Sequence, residues 1–288
     1  MNNHLILTFI TYLLLLILIN EKVYGKEFYI KYDDSIYNDF NNFIKDNQNY
    51  DEIILYFIDD YYDMSKLPHY IDVTVSTNIF IIGNENGTVF DYKGNYQGRV
   101  IFNFSSNKEY KIIYENIIIE NYFADKKGLN IINMDSNFNK FYFEVNNCTF
   151  HNNMSSIFRF GLNTSPQENP NIKILINNSR FFKNYKGIFY LNNHNVFIDD
   201  INNSLQIHVN NCTFIENNGI FMSRNSHIVL ENSYISNVDL YTDYKNETYL
   251  FYKSSSLNDS FKIKNCIIEN IDIKNYQPLI TGDKIHLM

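Results

Sequence analysis

Polar and apolar residues alternate with a period of two over many short stretches of this chain. Phe141-Tyr-Phe-Glu-Val, Ile172-Lys-Ile-Leu-Ile, Leu205-Gln-Ile-His-Val and Phe261-Lys-Ile-Lys each put an apolar side chain at every second residue. Successive side chains of a strand point to opposite faces, so the pattern predicts strands buried on one face. Each stretch runs into an Asn, after which the alternation resumes in shifted phase. A third apolar piece then follows, as in Ser156-Ile-Phe-Arg-Phe, Gly187-Ile-Phe-Tyr-Leu, Gly219-Ile-Phe-Met-Ser and Thr248-Tyr-Leu-Phe-Tyr.

The Asn sits at one register in six segments: Asn116, Asn147, Asn178, Asn211, Asn232 and Asn265. Three residues after it comes Ile119, Phe150, Phe181, Phe214, Ile235 or Ile268, and five or six residues after it another Asn. The intervals between the register Asn are 31, 31, 33, 21 and 33 residues, so the chain is an internal repeat. One Asn between two strands predicts a residue in the left-handed region, which Asn tolerates better than other non-Gly residues, and hence a sharp turn. Three strands per repeat, with one tight turn and two looser ones, describe a coil of a parallel β-helix.

Leu5 to Ile19 is a fifteen-residue run without charge, short for a membrane span and suited to a signal-peptide core. Val23-Tyr24-Gly25 supplies residues a signal peptidase accepts, which gives a signal peptide over 1–25; an uncleaved signal anchor is the other reading. Both put the rest outside the cytoplasm, secreted or at the extracellular surface. No second long apolar run, linker or charge block follows, so 26–74 is expected to form the amino-terminal cap and first strands and 75–288 the coils, with no membrane span in the mature chain. The net charge of −8 argues against a nucleic-acid partner and against polyanionic substrates. Asn, Ile, Tyr, Phe and Lys are abundant, as an AT-rich coding genome imposes, so that enrichment carries little about function.

The strand, Asn turn, strand repeat resembles the pectin-lyase-like right-handed parallel β-helix superfamily, in which stacked Asn form a ladder at the corner between the second and third sheets. More loosely, the Asn-Cys-x-Phe form is similar to repeats of the polymorphic outer-membrane type. The resemblance implies an all-β solenoid with a short capping helix, here over Asp33 to Lys45, a strand over Glu52 to Ile58, and a first full coil from Val75. It also implies that any substrate would lie along the first sheet and its loops.

The residue after each ladder Asn is Ile117, Cys148, Ser179, Cys212, Ser233 or Cys266. The three Cys therefore fall on alternate coils, about 9.6 Å apart for a coil spacing of about 4.8 Å, beyond the roughly 7 Å that a bridge tolerates. No intramolecular disulfide is expected. Asn-x-Ser/Thr sequons start at Asn86, Asn103, Asn147, Asn153, Asn163, Asn177, Asn202, Asn211, Asn246 and Asn258. Asn147 and Asn211 should be stacked inside a turn and stay bare, whereas Asn202, Asn246 and Asn258 fall in loops and are the expected acceptors. Gln277-Pro-Leu-Ile-Thr reads as the opening strand of another coil, which suggests a truncated carboxyl end or end-to-end self-association through exposed strand edges.

Chemistry is sparse. The first-sheet pieces quoted above hold no Asp or Glu, whereas a glycoside hydrolase needs two carboxylates roughly 5 to 9.5 Å apart. The Asn-Thr-Asp, Gly-His-Gly and Arg-Ile-Lys motifs of the polygalacturonase branch are absent. A lyase would need a base, usually Arg or Lys, and often Ca²⁺ held by carboxylates. Arg159 and Arg224 lie on or beside this sheet, and Asp135, Glu168, Asp199, Asp200 and Asp259 are placed in the loops that follow it; solvated loop charges would show the same spacing. His151, His194, His208 and His227 have no metal-type spacing, and no metal or other cofactor is expected, Ca²⁺ arising only with lyase chemistry. Ile157, Ile188 and Ile220 should form one file and Arg159, Tyr190 and Met222 another, and the outward one would make a binding stripe. The sequence therefore reads as a non-catalytic recognition or adhesion protein for a glycan or extracellular protein. A divergent polysaccharide lyase or glycoside hydrolase, and a structural wall or matrix component, stand as alternatives.

Overall fold

The computed structural model describes residues 25–124, 129–137, 140–162, 173–193, 205–224, 226–238, 249–253, 260–271, 280 and 284–287. The alternating stretches are strands, and all their pairings are parallel. They build three sheets, wound one after another by the chain. Sheet 1 has seven strands: Tyr70–Thr74, Arg99–Phe104, Ile132–Ser136, Phe158–Leu162, Phe189–Asn193, Gly219–Arg224 and Tyr249–Lys253. Sheet 2 has ten, starting at Lys26–Ile30 and Glu52–Phe57 and ending at Ser260–Lys264 and Lys284–Leu287. Sheet 3 has eight, among them Thr88–Asn95, Ile117–Tyr122, Thr149–His151, Arg180–Phe182 and Thr213–Ile215.

The six register Asn form the corner from sheet 2 to sheet 3, with φ between 50° and 57°. This left-handed residue explains the phase shift. Tyr114 and Ile117 both point inward around Asn116, a spacing of three where a flat strand has two. A second left-handed residue closes sheet 3 five positions later, at Asn121, Asn152, Lys183, Glu216, Asn237 and Asn270.

In-register stacking puts equivalent side chains of successive coils on top of each other. Phe150, Phe181 and Phe214 stack with centroids 5.0 and 4.9 Å apart, and Phe158, Phe189 and Phe221 with 5.2 and 5.1 Å. All six are fully buried. Each such ring contributes about 1.5–3 kcal/mol by burial, and each favourable pair about 0.5–1.5 kcal/mol more.

The register Asn are on the surface. Asn147 donates to Asn116 Oδ1 at 2.7 Å and Asn211 to Asn178 Oδ1 at 2.7 Å, but Asn178 and Asn232 donate to the Oδ1 of Asn146 and Asn210, the residues before the register Asn. Asn147 and Asn211 are thus stacked as expected, but the expectation that they lie inside a turn is corrected: both are exposed, because a left-handed corner turns its side chain outward along the edge of the solenoid.

A second Asn ladder is fully inside, one residue after the sheet 3 corner. Asn153 donates to Asn184 Oδ1 at 3.0 Å, and Asn184 to Asn217 Oδ1 at 2.8 Å. The sequon at Asn153 is therefore part of the core.

At the amino-terminal end the expected single helix is two, Ser35–Asn38 and Phe40–Asp46, broken at Asp39. Asp34 caps the first, accepting from the Tyr37 N–H at 2.7 Å. Tyr37, Phe40 and Ile44 are buried against the first coils. Coils begin before Val75, since Glu52–Phe57, Tyr61–Asp63 and Tyr70–Thr74 already supply one strand to each sheet. At the other end Ile280 bridges to Phe251 of sheet 1 and Lys284–Leu287 joins sheet 2, so another coil does open after Asn265.

Candidate functional site

The outward face of sheet 1 carries two files of side chains. One runs Asp72, Ile101, Asn133, Arg159, Tyr190, Met222, Tyr252, coil by coil. The other, two residues along, runs Thr74, Asn103, Asp135, Gly161, Asn192, Arg224. Ile157, Ile188 and Ile220 are fully buried, so the Arg159, Tyr190 and Met222 file is the outward one, each of its three members half-buried.

Arg159 Nη1 donates to Asp135 Oδ1 at 3.1 Å, across one strand boundary. Asp135 was expected in a loop and lies within the strand Ile132–Ser136, paired with Gly161. Its strand escaped the pattern because the inward residues, Ile132, Met134 and Ser136, end on a polar side chain. Gly161 makes the pair fit: a Cβ there would collide with the Asp135 carboxylate. Two coils below Asp135, Asp72 accepts from Asn103 at 2.6 Å. Among the described residues this face thus holds two carboxylates, each engaged by a neighbour, beside apolar and aromatic side chains. Glu168, Asp199, Asp200 and Asp259, and Asn202, Asn246 and Asn258, the expected glycan acceptors, lie outside the described residues.

Sheet 3 holds a denser polar network on its outer face. Asp91 accepts from the Tyr61 hydroxyl at 3.0 Å, Asn121 at 3.0 Å and the Lys93 N–H at 2.8 Å, with Lys93 Nζ 3.2 Å away. Burial raises its carboxyl, but those hydrogen bonds outweigh burial and hold it below the ordinary range. Glu120, on the next coil, is pushed up by burial and then by Asp91. His151, on the coil above, faces Glu120 Oε2 at 3.0 Å and stacks on Phe182 at 4.6 Å; burial lowers its ring below the usual value. Its Nδ1 is buried without a hydrogen-bond partner. The sequence carried a signal for this file: Glu120, His151, Phe182 and Ile215 all fall four residues after a register Asn.

Among the described residues no three His, Cys, Asp or Glu side chains gather as a metal-binding group. Cys148, Cys212 and Cys266 are free thiols.

No family model matches this chain, and no curated protein matches it. Among solved structures it is similar to a pectate lyase from Bacillus sp. N165, crystallised in complex with trigalacturonate. The likeness covers 90% of this chain and 89% of that one, with a TM-score of 0.55 and 14% identity. The fold is the pectin-lyase-like parallel β-helix. At this identity the likeness shows the fold and says nothing further about substrate.

Proposed function

We propose that this chain is a secreted or cell-surface recognition module that holds a glycan along sheet 1 without cleaving it. One observation carries the reading: the arginine best placed to act as a base is paired with a carboxylate. Arg159 Nη1 donates to Asp135 Oδ1 at 3.1 Å, so the guanidinium is held against a neighbouring strand by an ion pair instead of being free to meet a substrate proton. What remains is a stripe of Tyr190, Met222 and Tyr252 beside amides and one ion pair, the mixture of apolar surface and hydrogen-bonding groups on which a sugar chain rests. A face repeating about every 4.8 Å suits an extended polymer better than a small molecule.

A second reading, a divergent polysaccharide lyase, is favoured by the similar structure being a pectate lyase with a sugar acid bound. The test that separates them is incubation of the purified secreted chain with plant and fungal wall polysaccharides, scoring both retention and release of unsaturated or reducing ends, with and without Ca²⁺. Retention without release, weakened by Tyr190→Ala, is the expected result. Release of ends that is abolished by Arg159→Ala would make the chain an enzyme.

A further inference from the structure

We propose that the outer face of sheet 3 holds a second ligand site, a groove that takes a pyranose ring bearing a carboxylate. It is independent of the sheet 1 reading. The groove has a volume of about 410 Å³ and lies across two coils, within the roughly 300–1,000 Å³ of small-ligand sites. Phe182 and Ile215, paired on adjacent strands, form its apolar floor. Arg180 and Thr213 stand on one side and Lys183 and Glu216 on the other.

Three features point to a ligand. First, the left-handed position that closes sheet 3 is Asn on four of the six coils and changes to Lys183 and Glu216 on the two that wall the groove, at φ 55° and 57°. Neither Lys nor Glu is as readily accommodated in that region as Asn, so these coils keep a less favourable residue where it puts a charge beside the groove. Second, Glu216 Oε2 is enclosed by the protein without a hydrogen-bond partner, with Lys183 Nζ 4.0 Å away, so the charge at this corner is incompletely compensated. Third, the groove is locally cationic in a chain of net charge −8, with Arg180 and Lys183 against Glu216.

Arg180 is exposed and offers a planar fork for a carboxylate. Phe182 cannot swing away, since His151 covers its other face at 4.6 Å and 5°. A sugar acid would lie against the edges of Phe182 and Ile215 with its carboxylate on Arg180.

The test uses the full secreted chain, with sodium glucuronate and glucose as probes, read by saturation-transfer NMR and calorimetric titration. Glucuronate should bind saturably and roughly tenfold or more tighter than glucose. Arg180→Gln should weaken it by a similar factor. The double variant Lys183→Asn, Glu216→Asn restores the residue found on the other coils, so it should melt no lower than the parent and still lose binding. No saturable binding by the parent, equal affinity for glucose, or binding that survives both groove variants would overturn the proposal. Binding lost only in Arg159→Gln would move the site to sheet 1 and overturn it equally.

Discussion

Asn153 Nδ2 donates to Asn184 Oδ1 at 3.0 Å, and neither residue is reached by solvent. Asn184 repeats the arrangement one coil on, donating to Asn217 Oδ1 at 2.8 Å and to the Phe150 carbonyl at 3.0 Å, while its own oxygen also accepts the Asn153 N–H. Every polar atom of the Asn184 side chain is thus paired within the protein. A buried polar column of this kind stabilises only while it is complete.

Asn184→Ala interrupts the column and leaves partners buried without bonds. It should destabilise the chain by about 3 kcal/mol, from the unpaired groups and the small cavity. Asn178→Ala, at the exposed outer corner, should cost about 1 kcal/mol, since water replaces its hydrogen bond and only the left-handed backbone preference is lost. Urea unfolding midpoints with unchanged slope would check this, and equal costs at the two sites would contradict it.

The thiols differ in reach. Burial pushes Cys148 and Cys212 up to about 12, while Cys266 is raised less and is partly exposed. Native protein treated with iodoacetamide near pH 8 should carry its label on Cys266 alone, and unfolded protein on all three, as read by mass spectrometry. Fast native labelling of Cys148 would argue that the central coils open readily.

Burial lowers the His151 ring below its ordinary 6.5, so the folded state binds its proton more weakly than the unfolded chain does. Stability from this group is therefore present above 6.5 and is lost as the pH falls through that value toward the folded pKa. Glu120, raised by burial, acts in the opposite sense: the folded chain favours its protonated form, and that contribution is lost as the pH rises through the raised pKa. An NMR titration should place the His151 ring below 6.5, and His151→Phe should flatten the fall in stability on acidification. A ring titrating above 6.5 would show that Glu120 outweighs burial.

Gly161→Ala puts a methyl where the Asp135 carboxylate lies. The side chains of Arg159 and Asp135 are 28% and 42% exposed, so parting them should cost under about 1 kcal/mol and the variant should fold. Glycan retention on sheet 1 should nevertheless change. A variant with the parent's retention would remove the Arg159–Asp135 pair from the binding face.

Much of this architecture was written in local sequence. Strand alternation and a single left-handed Asn are short-range properties, repeated at about the same interval, and each coil contacts only its neighbours, so the pattern of one segment fixes the packing of the next. The six register Asn and the aromatic stacks follow from it. Three things were decided only in three dimensions. The register Asn proved to be outside, and Asn153, Asn184 and Asn217 inside, because a left-handed residue sends its side chain outward and the following residue inward. Asp135 met Arg159 because Gly161, twenty-six residues away in sequence, leaves the space. Lys183 and Glu216, thirty-three residues apart in sequence, both line the groove at Arg180 because stacking one coil on another brings their corners side by side.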